Sequence, residues 1–192
     1  MESIILASAS PRRKELLAQI GIEYEVLPSK IEEVVTSRIP SEIVMELAKQ
    51  KAEDVAVKEN IPGKIVLGAD TIVSKDGEIM GKPKNETEAY AMISKLQNAT
   101  HQVYTGVCLS YLTEEGEVIS HAFFEETKVN VYPIQKDEIL KYIRTGSCMD
   151  KAGSYGIQDS FAAYIKGIEG DYNNVVGLPV GRVYQELKNI LK

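Results

Sequence analysis

The sequence predicts an α/β fold on a mixed sheet, within a single domain spanning residues 1–192, and three of its features point that way. Continuous apolar runs at residues 4–7 and 65–69 have the composition of strands buried on both faces. Stretches with apolar residues at helical spacing stand between the strand-like runs and supply crossover helices. Asp76-Gly77 and Thr113-Glu114-Glu115-Gly116 each separate β-rich segments, which adds hairpins. Crossovers and hairpins together make the strand directions mixed.

Each element has its own justification. The strand at 4–7 leads through Ser8-Ala9-Ser10 into a helix with Ser10 as N-cap and Pro11 at the first helical position, where no N–H is lost. Gly21 is placed to stop it. Residues 24–27 read as a short strand, and 28–40 as a polar connection containing Glu32 and Glu33. From 41 to about 58, Ile43, Leu47, Ala48, Ala52 and Val55 recur at helical spacing. The strand at 65–73 turns at Asp76-Gly77 and returns over 78–80, followed by Gly81-Lys82-Pro83. A second amphipathic helix covers 85–97, and a long antiparallel pair covers 103–112 and 117–131. Helix 137–144 follows Pro133. Residues 146–170 are irregular and glycine-rich around a strand at about 162–165, and 179–191 closes the chain as a helix. No internal repeat, low-complexity tract or linker interrupts this order.

Composition narrows the function. The chain has 192 residues, 44% hydrophobic and 26% charged, which suits a folded domain and not a disordered one. Its 22 basic and 28 acidic residues give a net charge of −6, which argues against nonspecific binding to nucleic acid or membrane. Cys108 and Cys148 lack metal-ligand spacing and read as reduced, buried small hydrophobes. His101 and His121 likewise read as structural or surface residues. Met1-Glu2-Ser3 lacks the basic region of a signal peptide, so a cytoplasmic location is expected.

Within that acidic chain, positive charge is concentrated where an anion would be held. Arg12 and Arg13 fall in the first turn of the first helix, where the macrodipole disfavours cations by roughly 0.3–1 kcal/mol each. Their placement makes sense if a strongly anionic group docks among them. A strand, a serine-rich turn and a helix N-terminus together suit phosphate. The alternative is a pair of solvated arginines.

Asp70 follows five residues of buried-type strand, where a carboxylate is costly unless paired, hydrogen-bonded or metal-bound. A cap on the following turn is the plainer reading. Glu32 or Glu33 could give a divalent ion its second carboxylate, since magnesium at phosphates takes one or two plus water. Lys49 and Lys51 lie on a helix, with a surface role as the default, whereas Lys82 is aimed by its Gly-Lys-Pro setting. The segment from Asp150 to Gln158 combines permissive backbone with polar side chains, and Gln158 can both donate and accept at a pyrimidine edge. Gly170-Asp171-Tyr172-Asn173-Asn174 has similar character. Neither the P-loop pattern nor the glycine-rich dinucleotide fingerprint is present.

Taken in order, six segments resemble the Maf family, the septum-formation-inhibitor-like nucleoside triphosphate pyrophosphatases. They are Leu6-Ala7-Ser8-Ala9-Ser10-Pro11-Arg12-Arg13-Lys14-Glu15-Leu16-Leu17, Leu47-Ala48-Lys49-Gln50-Lys51-Ala52, Gly68-Ala69-Asp70-Thr71, Gly81-Lys82-Pro83, Asp150-Lys151-Ala152-Gly153-Ser154-Tyr155-Gly156-Ile157-Gln158 and Val176-Gly177-Leu178-Pro179. The resemblance implies an elongated mixed sheet with flanking helices and two lobes around a central cleft, related to inosine-triphosphate pyrophosphatases. It implies hydrolysis between the α- and β-phosphates with a divalent cation (magnesium, manganese or cobalt), and a homodimer. Asp70 matches the proton acceptor, Glu33 and Lys82 match polar positions around the cleft and complete the expected catalytic set, and Asp70 and Glu33 are the expected metal ligands. Arg12, Thr71 and Gln158 match positions tied to substrate choice in the subgroup preferring dTTP and UTP. Where this chain has Arg12, a sister subgroup acting on 7-methyl-GTP has an aromatic residue. Ser8, Arg13, Lys51 and Lys151 match other substrate-binding polar positions.

One departure stands out: Asp159-Ser160 follow Gln158 where the family usually continues with glycine. If that position needs positive φ, aspartate is strained there. Two other functions compete with hydrolysis of dTTP and UTP. One is a nucleotide-binding regulator of cell division with incidental hydrolysis, and the other a nucleotidyltransferase. A buried carboxylate beside a polyphosphate gives a pure binder no advantage unless a metal intervenes.

Overall fold

A computed structural model describes residues 3–190. In chain order the elements are β1 (Ile4–Leu6), α1 (Pro11–Gln19), β2 (Tyr24–Val26), α2 (Pro40–Glu59), β3 (Val66–Lys75), β4 (Glu78–Met80) and α3 (Glu86–Leu96). There follow β5 (Thr100–Leu112), β6 (Val118–Val131), α4 (Lys136–Ile143), β7 (Ile165–Glu169), α5 (Tyr172–Val176) and α6 (Val180–Ile190). The strands form a seven-stranded sheet in the hydrogen-bonded order β2-β1-β3-β5-β6-β7, with β4 paired to β3. β1 runs parallel to both neighbours, whereas β3–β4 and β6–β7 are antiparallel, so the sheet is mixed.

Most elements lie where the sequence places them, and the exceptions have local causes. Asp76 and Gly77 both adopt positive φ, the backbone of a two-residue type I′ hairpin, which sets the register Lys75 to Glu78. Residues 162–164 belong to a 3-10 turn (Ser160–Tyr164), and the strand begins only at Ile165. Asp159 starts that turn by accepting from the Phe161 N–H at 2.9 Å. The expected strand at 162–165 is thereby displaced toward the C-terminus. The polar segment 170–174 is tied to β5 and β6. Buried Asn174 donates from Nδ2 to the Val103 carbonyl and to Thr127 Oγ1, and Thr127 also binds the Asp171 backbone. Position 191 of the expected closing helix lies outside the described residues.

Two compact units divide the chain. The first comprises the described residues up to Asp70, Thr105–Glu125 and those from Gly177 onward; the second comprises Thr71–Tyr104 and Glu126–Val176. Both are discontinuous in sequence because β3, β5 and β6 each pass from one into the other.

In the first unit, α2 lies directly against the sheet. Ala48, Ala52 and Ala56 recur every fourth residue and pack with Ile5, Ala7, Val66 and Cys108. The strands answer with glycine. A Cβ on Gly68 would stand 2.2 Å from the Ala48 carbonyl oxygen, and one on Gly106 would stand 2.2 Å from that of Val44. Small residues on both surfaces let the backbones approach.

In the second unit, an aromatic cluster organises the glycine-rich region. Phe161 is fully buried between Tyr155, Tyr142 and Tyr164, with ring centroids 4.8, 5.1 and 5.5 Å away. Tyr155 also places its hydroxyl 2.8 Å from His101 Nε2. His101 is buried, and its Nδ1 finds no partner among the described residues. His121, by contrast, is exposed and reaches Glu186 at 3.1 Å. Cys108 and Cys148 are both buried free thiols, as their isolation in sequence suggests.

Two predictions arise here. Gly106→Ala drives a methyl into α2 backbone that cannot yield, so it should cost about 3 kcal/mol or more in denaturant unfolding, at or beyond the usual overpacking range. Gly181→Ala, in open space on a helix, should be neutral or stabilising by up to about 1 kcal/mol. The second concerns acid. Burial, aided by the charge of Lys75, holds the His101 pKa down at about 4, below its ordinary 6.5. Between those values the unfolded chain takes up the proton and the folded chain does not, so stability falls as pH drops from 6.5 to 4. The melting temperature of His101→Gln should show a shallower decline over that interval.

Candidate active site

The first turn of α1 brings two elements of the site together. β1 ends at Leu6, and Ser8 follows, buried. Its hydroxyl accepts from Arg13 Nη1 at 3.1 Å and from the Ser10 N–H at 3.3 Å. Arg13 Nε donates to the Gly177 carbonyl at 2.9 Å, which fixes the guanidinium plane. Ser10 stands at the N-cap position, with Pro11 in the first turn, yet its side chain makes no capping hydrogen bond. The expected Ser10 side-chain cap is therefore absent. Burial pulls the Arg13 pKa below its ordinary value; Asp70 raises it, Arg12 lowers it and Glu33 raises it. Those four side chains therefore share one electrostatic environment.

Asp70 is an interior residue of β3, not a turn cap. Its side chain keeps only 18% exposure, and Oδ1 accepts from Lys51 Nζ at 2.6 Å. The same ammonium lies 3.0 Å from Glu33 Oε1. At 16% exposure Lys51 is no surface residue, contrary to the default for a helical lysine. One helical turn from Ala48 and next to Ala52, it is carried over the sheet by the packing of α2.

Glu33 owes its place to a feature that sequence reading missed. Glu42, Glu46, Gln50 and Asp54 recur every fourth residue along α2, and each binds the preceding loop. Ser29 donates to Asp54 at 2.6 Å, and Gln50 pairs with both the N–H and the carbonyl of Val34. The Thr36 N–H donates to Glu46 at 3.1 Å, and the Ser37 hydroxyl donates to Glu42 at 2.5 Å. The Thr36 hydroxyl, which also donates to Glu46, and then the Thr36 N–H hold the Glu46 carboxyl below its ordinary value. A polar i, i+4 stripe thus fastens residues 29–37 along the helix and sets Glu33 beside Lys51. The signal was present as spacing. Glu32 is exposed and stands outside this arrangement.

The remaining candidates belong to the second unit. Thr71 is half-buried in β3, next after Asp70. Lys82 is exposed in its Gly-Lys-Pro segment, and the Gly81 carbonyl accepts from the Gly153 N–H at 3.1 Å, joining that segment to the glycine-rich region. Lys151 Nζ donates to the Ser147 carbonyl and, at 2.8 Å, to Asp150, with Asp159 at 3.7 Å. Gln158 is exposed, and its side chain makes no hydrogen bond among the described residues.

Asp159 is not strained: its φ is −102°, so the left-handed conformation feared for that position does not arise. Besides Phe161, its carboxylate accepts from the Tyr142 hydroxyl at 3.2 and 3.3 Å. Tyr142 in turn accepts from the Gly156 N–H at 3.3 Å, and burial pushes its pKa up. Asp159 ties down the segment that ends in Gln158.

No group of three or more His, Cys, Asp or Glu side chains gathers as a metal cage among the described residues. Glu33 and Asp70 nevertheless already share a cation, the Lys51 ammonium. That donor pair fits a hard divalent ion taking one or two carboxylates, with phosphate oxygens and water completing its shell.

This arrangement invites comparison with known proteins. The sequence pattern of the family described as Maf-like protein matches residues 3–190. The chain belongs to the Maf family. A relative from Agathobacter rectalis, named dTTP/UTP pyrophosphatase, is 53% identical, covering 99% of this chain and 98% of its own. Another of that name, from Lachnoclostridium phytofermentans, is 48% identical over 98% of this chain and 95% of its own. Among solved structures, a HAM1 protein from Coxiella burnetii superposes over 100% of this chain and 98% of its own, with a TM-score of 0.53 at 14% identity. That likeness places the Maf chain in the HAM1 fold.

Proposed function

We propose that this chain hydrolyses dTTP and UTP to the monophosphate and pyrophosphate. The observation that carries the reading is the Asp70–Lys51–Glu33 group beside Arg13, in a chain 53% identical to a relative named dTTP/UTP pyrophosphatase. A half-buried carboxylate next to two cations is suited to a reaction in which a polyphosphate must be neutralised and a water deprotonated.

In this reading the triphosphate takes its positive partners from Arg12, Arg13 and Lys51 in the first unit. Ser8 and the Gly177 carbonyl hold Arg13 in orientation, so little side-chain order has to be created on binding. Asp70 accepts the proton of the attacking water. The water oxygen bonds to the α-phosphorus, the bond from that phosphorus to the bridging oxygen breaks, and pyrophosphate departs with the electron pair. A divalent cation, when held by Glu33 and Asp70, would supply Lewis-acid polarisation of the phosphoryl oxygens. Thr71 and Gln158 contact the base, and the unengaged Gln158 amide offers one donor and one acceptor to a pyrimidine edge.

Product analysis tests the bond cleaved: pyrophosphate should appear with UMP as the first products, and UDP with orthophosphate would sink the proposal. Asp70→Asn removes the proton acceptor while keeping the side chain's size, so kcat should fall by a factor on the order of 10² or more. Near-normal turnover in that variant would assign Asp70 a structural role. Gln158→Ala should lower kcat/KM for UTP by about 1–3 kcal/mol and for poor substrates by less. Equal losses on every nucleotide would remove Gln158 from base recognition.

A further inference from the structure

We propose that Lys51 is a tethered counter-ion that competes with a divalent cation for Asp70 and Glu33, so that the metal binds weakly until a triphosphate draws the ammonium away. The inference rests on the pyrophosphatase reading for the identity of that anion, but its geometry belongs to the chain. Nζ lies 2.6 Å from Asp70 Oδ1 and 3.0 Å from Glu33 Oε1, bridging the two carboxylates assigned to the metal. A divalent ion held by these two carboxylates would have to take over oxygens that the ammonium now engages.

Three features make the competition unequal. Lys51 and Asp70 keep only 16% and 18% exposure, so water compensates poorly for a broken charge-assisted bond between them. Arg13 lies within the influence of Asp70 and Glu33, so a bare dication would face a guanidinium as well as a displaced ammonium. The loop bearing Glu33 is clasped by Glu46, Gln50 and Asp54, so the carboxylate pair does not open simply to escape the lysine. An incoming triphosphate changes the balance. It gives the four-carbon stem of Lys51 a new anion within reach and brings the metal with its own oxygens. Backbone contacts at Ala48 and Ala52 hold the stem's origin, so the ammonium swings while α2 stays. Metal and nucleotide binding are then coupled, and by linkage the coupling is reciprocal.

The test is binding of Mn²⁺ alone, followed through the electron paramagnetic resonance of the free ion, to nucleotide-free protein. Lys51→Met should bind Mn²⁺ at least threefold more tightly than the wild type, and the gain should vanish in Lys51→Met combined with Asp70→Asn. A gain below threefold, or one that survives loss of Asp70, overturns the proposal. Lys51→Gln gives the same comparison should the methionine variant not fold. The wild type supplies an independent readout. Acylation of Lys51 by an amine-directed reagent, measured by peptide mass spectrometry, should accelerate at Mn²⁺ concentrations that the resonance signal shows to be binding, and an unchanged rate overturns the exchange. None of these measurements needs turnover. A chain that releases no pyrophosphate yet shows the Mn²⁺ pattern sinks the hydrolytic reading alone; one that hydrolyses UTP without the pattern sinks the exchange alone.

Discussion

The close approach of α2 to the sheet is the constraint on which the first unit depends. Ala48 and Ala52 on the helix meet Gly68 on β3, while the Val44 backbone meets Gly106 on β5. Packing this tight leaves no slack for rotation of the helix about its axis, since interiors are packed as densely as organic crystals. Fixing that rotation assigns a duty to each face. The alanine stripe is buried, Lys51 points at Asp70, and Glu42, Glu46, Gln50 and Asp54 turn toward the loop at 29–37. A helix held less closely would deliver its charge less accurately.

Accuracy matters because the charges involved are only partly hydrated. A lysine and an aspartate at under one-fifth exposure interact more strongly than a surface pair, and each is costly if left alone. Their burial next to Arg13, with Glu33 as the second carboxylate, creates a balanced group of opposite charges. The overall charge of −6 is no obstacle to such a ligand, because attraction at short range comes from local cations.

The second unit solves a different problem. Its glycine-rich segment from 150 to 158 is held by an aromatic cluster together with Met92 of α3, which accepts from the Ser154 hydroxyl, and Val73 of β3, against which Gly153 lies. Asp159, the departure from the usual family pattern, sits within this support. It joins the Tyr142 hydroxyl, the Phe161 N–H and Lys151, and leaves the neighbouring Gln158 amide in solvent. An aspartate where the family usually has glycine is accommodated because the backbone there is extended, with its own side chain closing the turn.

By itself, the sequence determined the order of the elements, the mixed sheet and the family. Apolar periodicity, the Asp76-Gly77 turn and the order of the motifs are local properties, readable one segment at a time. It also named Asp70 as a carboxylate in need of a partner, because burial of a charge carries its own demand. Tertiary structure decided which partner. Lys51 is 19 residues from Asp70 along the chain and Glu33 is farther still, and neither spacing encodes their meeting. The hydroxyl of Ser10 proved not to cap its helix, Asn174 proved to be buried and bonded to the sheet, and the strand expected at 162–165 moved beyond a 3-10 turn. For Asn174 the cause is its long-range hydrogen bonds to Val103 and Thr127, and for the displaced strand it is the Asp159 side chain that accepts from the Phe161 N–H. Propensity acts on single residues, whereas the site exists only where separate segments pack together.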